Sequence, residues 1–233
     1  MQATFDFFGR GADILFIRKS LLGIFGPEPQ RERGTIDDQL SGSIISARTY
    51  DENSFVACLR VAKHFQWRWH LVGRASVKEI QLLIPEVTFP EKKALYLKAL
   101  WQNHPQGFSY VTRMPVERAL IELERNRGVG RKVSAAALNF SDVYGRAFVA
   151  DTHVLRVLQR FGFIDPKAKA RDAYYAVMMS ADGMTANDLF ELHWHLKYLG
   201  QQICTYRNPQ CARCPLSLSC MRRLDVQELG DEF

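Results

Sequence analysis

The sequence contains no long uninterrupted apolar run. Short apolar patches near its start are broken by charged residues, among them Arg10, Asp13 and Arg18. A helix that spans a membrane needs about 20 consecutive apolar residues, and a signal peptide needs an uninterrupted apolar core. The sequence therefore predicts neither a membrane protein nor an exported one.

Cysteine is scarce until the end of the chain. Of the five cysteines among 233 residues, four lie in the last thirty. A disulfide-stabilised protein usually spreads its cysteines along the chain, whereas this grouping is typical of metal ligation in a reducing compartment. The remaining one, Cys58, falls on an apolar helix face, so we expect it to pack in the core.

Strand-like alternation, internal repeats and low-complexity segments are also lacking. Apolar residues instead recur at helical spacing, as with Leu192, Leu196 and Leu199. Helix-start signals such as Thr35 followed by Asp38 support the same interpretation. The sequence predicts an all-α protein with helices at Ala12–Phe25, Ile36–Ser46, around Phe55–Ala62, Ile80–Ile84, Glu91–Trp101, Val116–Arg125, from Arg131 onward, Thr152–Arg160, Lys167–Met179 and Thr185–Ile203.

Acidic residues are missing from two segments of a chain whose net charge is +6. Leu59–Lys78 carries five basic residues without an acid, and Gln201–Arg223 carries four arginines without an acid. Segments of this kind are either solvated basic faces or binding surfaces for a polyanion such as nucleic acid. Charge alone leaves both interpretations open.

A glycine turn connects the predicted helix Val116–Arg125 to the helix that begins at Arg131. Gly128 and Gly130 can adopt backbone angles that other residues avoid, so peptide N–H groups could converge on one phosphate at the helix start. Such contacts hold DNA without reading its bases. The alternative is a plain tight turn between antiparallel helices.

Lys132 follows this turn, in the first turn of the second helix. The positive end of the helix dipole and the adjacent Arg131 are expected to lower its affinity for a proton, and a partly neutral lysine can attack an electrophilic carbon. Asp151, which precedes Thr152-His153-Val154, could cap a helix or accept a proton. The alternatives are a phosphate-contacting or solvated lysine and a purely structural aspartate.

The late cysteines are spaced Cys204-x6-Cys211-x2-Cys214-x5-Cys220. Tetrahedral zinc sites usually pair two short Cys-x-x-Cys-like segments, and these gaps suit that arrangement poorly. A cubane cluster has four iron corners and can be encircled by one loop, so a [4Fe–4S] cluster is preferred and zinc is the alternative. Arg207 and Arg213 belong to the same loop, where they could face DNA.

Three motifs together resemble the endonuclease III family of helix-hairpin-helix DNA glycosylases. They are Gly128-Val129-Gly130-Arg131-Lys132, Asp151-Thr152-His153-Val154-Leu155-Arg156-Val157 and the cysteine spacing. The resemblance covers about Thr35 to Arg222 and implies a two-lobed helical fold with a cluster loop. Residues 35–145 would form a central helical barrel that contains the helix-hairpin-helix at 116–140, and residues 1–34 with 146–233 would form an iron–sulfur cluster domain.

The resemblance also implies a function in base-excision repair. The protein would be a bifunctional DNA glycosylase and AP lyase that removes damaged, oxidised pyrimidines. Lys132 would attack the sugar and form a Schiff base, with Asp151 as the assisting carboxylate. The cluster ligands would be Cys204, Cys211, Cys214 and Cys220. The DNA contacts would come from Arg48, Gly128, Val129, Gly130, Arg131, Arg207 and Arg213.

The segment Ile45-Ser46-Ala47-Arg48-Thr49-Tyr50-Asp51 resembles the family's Ser-Ala-Gln-x-x-Asp stretch. The family's glutamine enters the gap left by a flipped base. Arg48 occupies that position here, and Val87–Phe89 is the expected second wedge. Two other departures are Asn126-Arg127 in place of Leu-Pro before the glycine turn, and Gln201 where an arginine often precedes the first cluster cysteine.

Two other functions stay open at this point. A monofunctional glycosylase for another lesion class would use Lys132 only to contact phosphate. A non-catalytic iron–sulfur DNA-binding protein would need neither Lys132 nor Asp151. In every case the expected partner is double-stranded DNA with damaged bases or abasic sites, and no membrane is involved. The family suggests a cytoplasmic monomer, associated with the nucleoid if the protein is bacterial.

Overall fold

The computed structural model describes residues 10–29 and 33–222. The predicted domain ranges therefore include stretches that lie outside the described residues, namely 1–9, 30–32 and 223–233. Within the described ranges every regular element is a helix and no strand occurs, so the all-α prediction is confirmed. No helix in these ranges is long and apolar enough to cross a membrane.

The helices begin and end close to the predicted positions. They are α1 (Arg10–Phe25), α2 (Ile36–Ser46), α3 (Asp51–His64), α4 (Val77–Leu83), α5 (Pro90–Asn103), α6 (Val116–Glu124), α7 (Arg131–Asn139), α8 (Thr152–Phe161), α9 (Ala170–Ser180) and α10 (Ala186–Gln202). Short 3-10 turns occur at Trp69–Leu71, Ser109–Arg113 and Cys211–Arg213.

The described chain divides into two compact units. We call residues 33–146, with α2 to α7, the central unit. We call residues 10–29 together with 147–222, with α1 and α8 to α10, the terminal unit. Each unit therefore has its own set of helices and its own core.

In the central unit, α2 packs against α3, α5 and α7. It begins with a capping box: the Thr35 hydroxyl accepts from the Asp38 N–H, and the Asp38 carboxylate accepts from the Thr35 N–H. Leu40 and Ile45 on this helix are completely buried. Such caps satisfy N–H groups that the first turn of a helix cannot pair internally, which fixes where α2 starts.

In the terminal unit, α8 packs against α9 and α10, and α1 also packs against α9 and α10. The apolar stripe of α10 is buried, with Leu192, Leu196 and Leu199 inaccessible to solvent. Gly162 ends α8 with φ +96°, a left-handed conformation that suits glycine. The helical periodicity of the sequence thus correctly predicts the buried face of α10.

Candidate functional site

The glycine turn between α6 and α7 has two different glycines. Gly128 has φ +89°, and a Cβ added there would lie 2.5 Å from Cδ2 of Tyr96, so both backbone and space require glycine. Gly130 is extended, with φ −99° and ψ −178°, and nothing lies within 4 Å of an added Cβ. Gly128 therefore uses the left-handed backbone angles that are open to both glycines, whereas Gly130 is extended and its backbone is exposed.

Val129, between the two glycines, is turned into the protein. Its side chain is buried, and its N–H donates to the Asn126 carbonyl at 3.0 Å. The Asn126 side chain in turn pairs with His104 at 2.9 Å and donates to the Leu123 carbonyl. The turn is thus anchored by polar contacts at Asn126, and its exposed backbone lies at the glycines rather than at Val129.

Arg131 does not face solvent as the sequence suggested. Only 4% of its side chain is exposed. Its Nε donates to Glu124 at 2.6 Å, and its Nη1 lies 3.5 Å from Glu117. The predicted DNA contact of Arg131 is corrected accordingly, because this guanidinium is occupied in joining α6 to α7. The two carboxylates also offset the positive charge that we expected Arg131 to place beside Lys132.

Lys132 is the second residue of α7, where it is partly exposed and no side chain caps the helix start. Two groups of the central unit, Lys93 and Cys58, respond to its charge. Burial lowers the pKa of Lys93 to about 8, and the Lys132 ammonium adds to this lowering. Burial also raises the pKa of Cys58 to about 12, while Lys93 and Lys132 act in the opposite direction. Lys132 therefore belongs to an electrostatic neighbourhood that contains a second, buried lysine.

Asp151 caps α8 in the terminal unit. Its Oδ1 accepts from the N–H groups of His153 and Val154, both at 2.9 Å. These charge-assisted hydrogen bonds hold the carboxylate at the positive end of the helix. The carboxyl group is partly exposed. Asp151 belongs to the terminal unit, whereas Lys132 belongs to the central unit.

The four late cysteines line one cavity of about 30 Å³ in the terminal unit. Burial raises the pKa values of Cys214 and Cys220, and the neighbouring thiols raise them further. Thiolates crowded in this way repel each other, and bound iron or zinc would relieve that repulsion. The donor set therefore fits a thiolate-bound metal group. Among the described residues, however, no three His, Cys, Asp or Glu side chains are placed so that they could hold a single metal ion.

Two arginines of α8 hold the cysteine loop, and sequence reasoning missed both roles. Arg160 is 1% exposed, donates to the carbonyls of Thr205 and Tyr206 at 2.7 and 2.8 Å, and has Nη1 3.6 Å from Cys204 Sγ. Arg156 donates to the carbonyls of Gly200 and Cys204 at 2.7 and 3.0 Å. The sequence did contain a signal for these roles. Arg156 and Arg160 lie four residues apart on α8, so both project from the same face of the helix.

The remaining predicted contacts are exposed. Arg207 and Arg213 lie on the cysteine loop, where Arg213 also donates to the Gln210 side chain at 2.7 Å. Arg48 directly follows the C-cap of α2 and has φ +55°. In the expected second wedge, Val87 is buried whereas Phe89 is 59% exposed with φ +56°. Phe89 is therefore an exposed residue of the expected wedge, whereas Val87 is not.

Comparison with protein families gives a match over residues 41–180 to the model described as HhH-GPD superfamily base excision DNA repair protein. Among curated proteins, the chain is 25% identical over 186 residues to endonuclease III homolog 1, chloroplastic, of Arabidopsis thaliana, covering 78% of this chain and 48% of that protein. It is 33% identical over 100 residues to endonuclease III of Sulfolobus acidocaldarius, covering 42% of each. The aligned part thus spans about half the length of these relatives, or less.

Solved structures with the same fold include a trapped endonuclease III–DNA covalent intermediate. It matches with a TM-score of 0.75 and 20% identity, covering 94% of this chain and 98% of that one. A thermostable thymine-DNA glycosylase matches with a TM-score of 0.67 and 20% identity, covering 94% and 96%. The fold is therefore that of endonuclease III.

Proposed function

The chain belongs to the HhH-GPD superfamily of base excision DNA repair proteins, and we propose that it is a bifunctional DNA glycosylase and AP lyase acting on damaged, oxidised pyrimidines. The observation that carries this proposal is the placement of Lys132. The Lys132 amine belongs to the first turn of α7, a helix whose start is capped by no side chain and which directly follows the exposed backbone of the glycine turn. A helix start of this type favours an anionic sugar–phosphate strand, and the amine would then lie beside the sugar.

In the proposed reaction, neutral Lys132 attacks C1′ of a nucleotide that has rotated out of the duplex. The bond between C1′ and the base breaks, and the base leaves with the electron pair and takes up a proton. Opening of the sugar ring gives a protonated Schiff base between Nζ and C1′. Loss of a proton from C2′ then expels the 3′ phosphate by β-elimination, and water releases the lysine.

Asp151 would accept the proton that Lys132 must lose and would stabilise positive charge that develops on the sugar. Its cap hydrogen bonds to His153 and Val154 hold the carboxylate in one orientation, which suits a group that acts by position. Arg48, Arg207, Arg213 and the exposed backbone of Gly128 and Gly130 would contact DNA. Phosphate contacts of this kind fix register without reading sequence.

We propose that Cys204, Cys211, Cys214 and Cys220 hold a [4Fe–4S] cluster, with zinc as the alternative. The bound group would cross-link the loop that carries Arg207 and Arg213, and the reaction uses none of its redox chemistry. An iron determination and the visible absorption spectrum of purified protein test this assignment. A colourless protein with one zinc per chain would contradict it.

We further propose that the protein acts as a monomer on double-stranded DNA that contains damaged bases or abasic sites. It would work in the cytoplasm, on the nucleoid if the source is bacterial. The proposal draws on the neighbouring endonuclease III–DNA complexes and on the two acid-free segments of the chain. Binding should weaken steeply with salt, because counterions are released from the DNA.

Borohydride trapping on an abasic oligonucleotide tests the chemistry directly. Wild type should give a covalent complex, and Lys132→Ala should give none. Asp151→Asn keeps an oxygen that can cap α8, so it should fold normally while losing activity by about 100-fold or more. Trapping by Lys132→Ala at the wild-type level would overturn the assignment of the nucleophile.

A monofunctional glycosylase for another lesion is the second candidate, because the neighbouring folds include 3-methyladenine glycosylases as well as endonuclease III. A panel of lesion-containing duplexes, analysed with and without alkali, separates the two. A lyase cuts the strand without alkali, whereas a monofunctional enzyme yields breaks only after alkali is added. Binding of abasic DNA without any turnover would instead indicate a non-catalytic protein.

A further inference from the structure

A buried lysine forms hydrogen bonds next to the two exposed residues Arg48 and Phe89. Lys93, in the first turn of α5, is 5% exposed. Its Nζ donates to the Ile45 carbonyl at 2.6 Å and to the Thr49 hydroxyl at 2.8 Å. This ammonium therefore connects α5 to the last turn of α2 and to the turn that follows it.

The Thr49 hydroxyl extends this connection to the second loop. Its Oγ1 also accepts from the Thr88 N–H at 3.0 Å, across 39 residues of sequence. Thr49 follows Arg48 directly, and Thr88 precedes Phe89 directly. Arg48 is thus next to the residue whose hydroxyl accepts this hydrogen bond, and Phe89 is next to the residue that donates it.

Both exposed residues also have unfavourable backbone angles. Arg48 has φ +55° and Phe89 has φ +56°, and neither is a glycine. Such conformations are sparsely populated and persist only where surrounding contacts impose them. The Phe89 carbonyl accepts the first backbone hydrogen bond of α5, from the Lys93 N–H at 3.1 Å, which joins this position to the helix.

A lysine is an unfavourable residue at a buried position, because its charge loses contact with water. Burial lowers the pKa of Lys93 to about 8, which reports the cost of enclosing the ammonium. Methionine would fill a similar volume without that cost, but it could not donate to two oxygens. A cation is also favoured at the C-terminal end of α2, where unpaired carbonyls gather.

We propose that Lys93 is a positioning residue for damage recognition, which sets Arg48 and Phe89 as one preorganised pair that enters the duplex when a nucleotide rotates out. This role rests on the proposed glycosylase and lyase function. Lys93 itself need not touch DNA. It would act by removing the cost of arranging two mobile side chains at the moment of binding.

The matched test compares the cleavage rates of one abasic oligonucleotide in two forms, as a single strand and annealed to its complement. A single strand has no orphan base and no gap to fill, so only the duplex reaction should depend on the pair. Lys93→Met should lower the duplex cleavage rate about 10- to 100-fold and the single-strand rate by less than about 3-fold. Thr49→Val should reproduce this pattern, and Thr49→Ser should behave as wild type because it keeps the hydroxyl.

Lys98→Met is the control variant. Lys98 lies on the same helix and donates to the Ala75 carbonyl at 2.6 Å. The variant therefore loses a lysine–carbonyl contact comparable to the one that Lys93→Met loses. It should leave the ratio of duplex to single-strand rates unchanged. In an Arg48→Ala, Phe89→Ala background, Lys93→Met should have no further effect on that ratio.

A binding readout separates this role from catalysis. A duplex with 2-aminopurine opposite a tetrahydrofuran abasic analogue reports insertion by its fluorescence, without any bond cleavage. Lys93→Met should reduce the fluorescence change even if wild type proves to have no lyase activity, so the two proposals fail separately. Equal loss of duplex and single-strand rates, or an unchanged ratio with an unchanged fluorescence response, would overturn the positioning role.

Discussion

The terminal unit and the central unit each enclose a cation that donates to a backbone carbonyl of another segment, but the cations differ. In the terminal unit, Arg160 donates to two carbonyls of the loop that carries the cysteines. In the central unit, Lys93 donates to a carbonyl and a hydroxyl between two loops with exposed side chains. A guanidinium stays charged at every accessible pH, whereas burial lowers the pKa of Lys93 to about 8. The cysteine loop is thus held by a guanidinium that donates to two carbonyls, and the Arg48–Phe89 pair by an ammonium whose pKa burial lowers.

Replacing Arg160 should have the largest effect on stability. Arg160→Met removes the charged donor of two hydrogen bonds to the Thr205 and Tyr206 carbonyls, so the free energy of unfolding should fall by about 3–5 kcal/mol. Urea denaturation followed by circular dichroism measures this change. Arg213→Met, on the exposed side of the same loop, is the control and should change it by less than about 0.5 kcal/mol. Similar curves for the two variants would show that the buried arginine is not what holds the loop.

The glycine turn of the central unit is expected to depend on backbone shape rather than on a cation. Gly128→Ala should lower the free energy of unfolding by about 2–3 kcal/mol, because of its positive φ and the approach of the Tyr96 ring. Gly130→Ala should cost less than about 1 kcal/mol, since its backbone is extended and its surroundings are open.

The same two variants also test DNA binding. Fluorescence anisotropy with a short duplex should show weaker binding for Gly130→Ala, because a methyl group would stand where the strand is expected to approach. If Gly130→Ala bound DNA like wild type, the phosphate contact would have to be assigned to another part of the chain.

The stability of the central unit should also depend on pH through Lys93. The pKa of Lys93 is about 8 in the folded protein against an ordinary value of 10.5, so between these values the unfolded chain binds more protons. The contribution of Lys93 to the free energy of unfolding is therefore lowest below pH 8 and increases as the pH rises. The stability of wild type relative to Lys93→Met should rise by about 2 kcal/mol from pH 7 to pH 10.

Denaturation at a series of pH values measures that difference, and Cys58, whose pKa is about 12, ionises above this pH range. A flat difference for Lys93→Met would mean that the ammonium is not confined as the structure indicates.

Sequence reasoning was accurate where a signal is local. The capping box of Thr35 and Asp38 is present as predicted, and the apolar stripe of α10 is buried as predicted. The position of Lys132 just inside α7 also follows from the glycine turn before it. These features depend on residues three or four positions apart, which a linear sequence displays directly.

Predictions from the sequence were less accurate for the burial of charged side chains. Arg131 was expected to face DNA, but it is buried against Glu117 and Glu124. Lys93 carried no signal of its own, since its partners Ile45 and Thr49 lie more than forty residues away. Whether a cation meets solvent or an internal oxygen depends on which distant segments pack beside it.

The sequence by itself determined the all-helical architecture, the hairpin with Lys132 and the loop with four cysteines, because helical periodicity and short motifs are written in neighbouring residues. Only the tertiary structure decided that Arg131, Arg160 and Lys93 are interior cations while Arg48, Phe89 and Arg207 are exposed. The physical reason is that burial and hydrogen-bond satisfaction belong to pairs of residues far apart in the chain, and folding alone brings those pairs together.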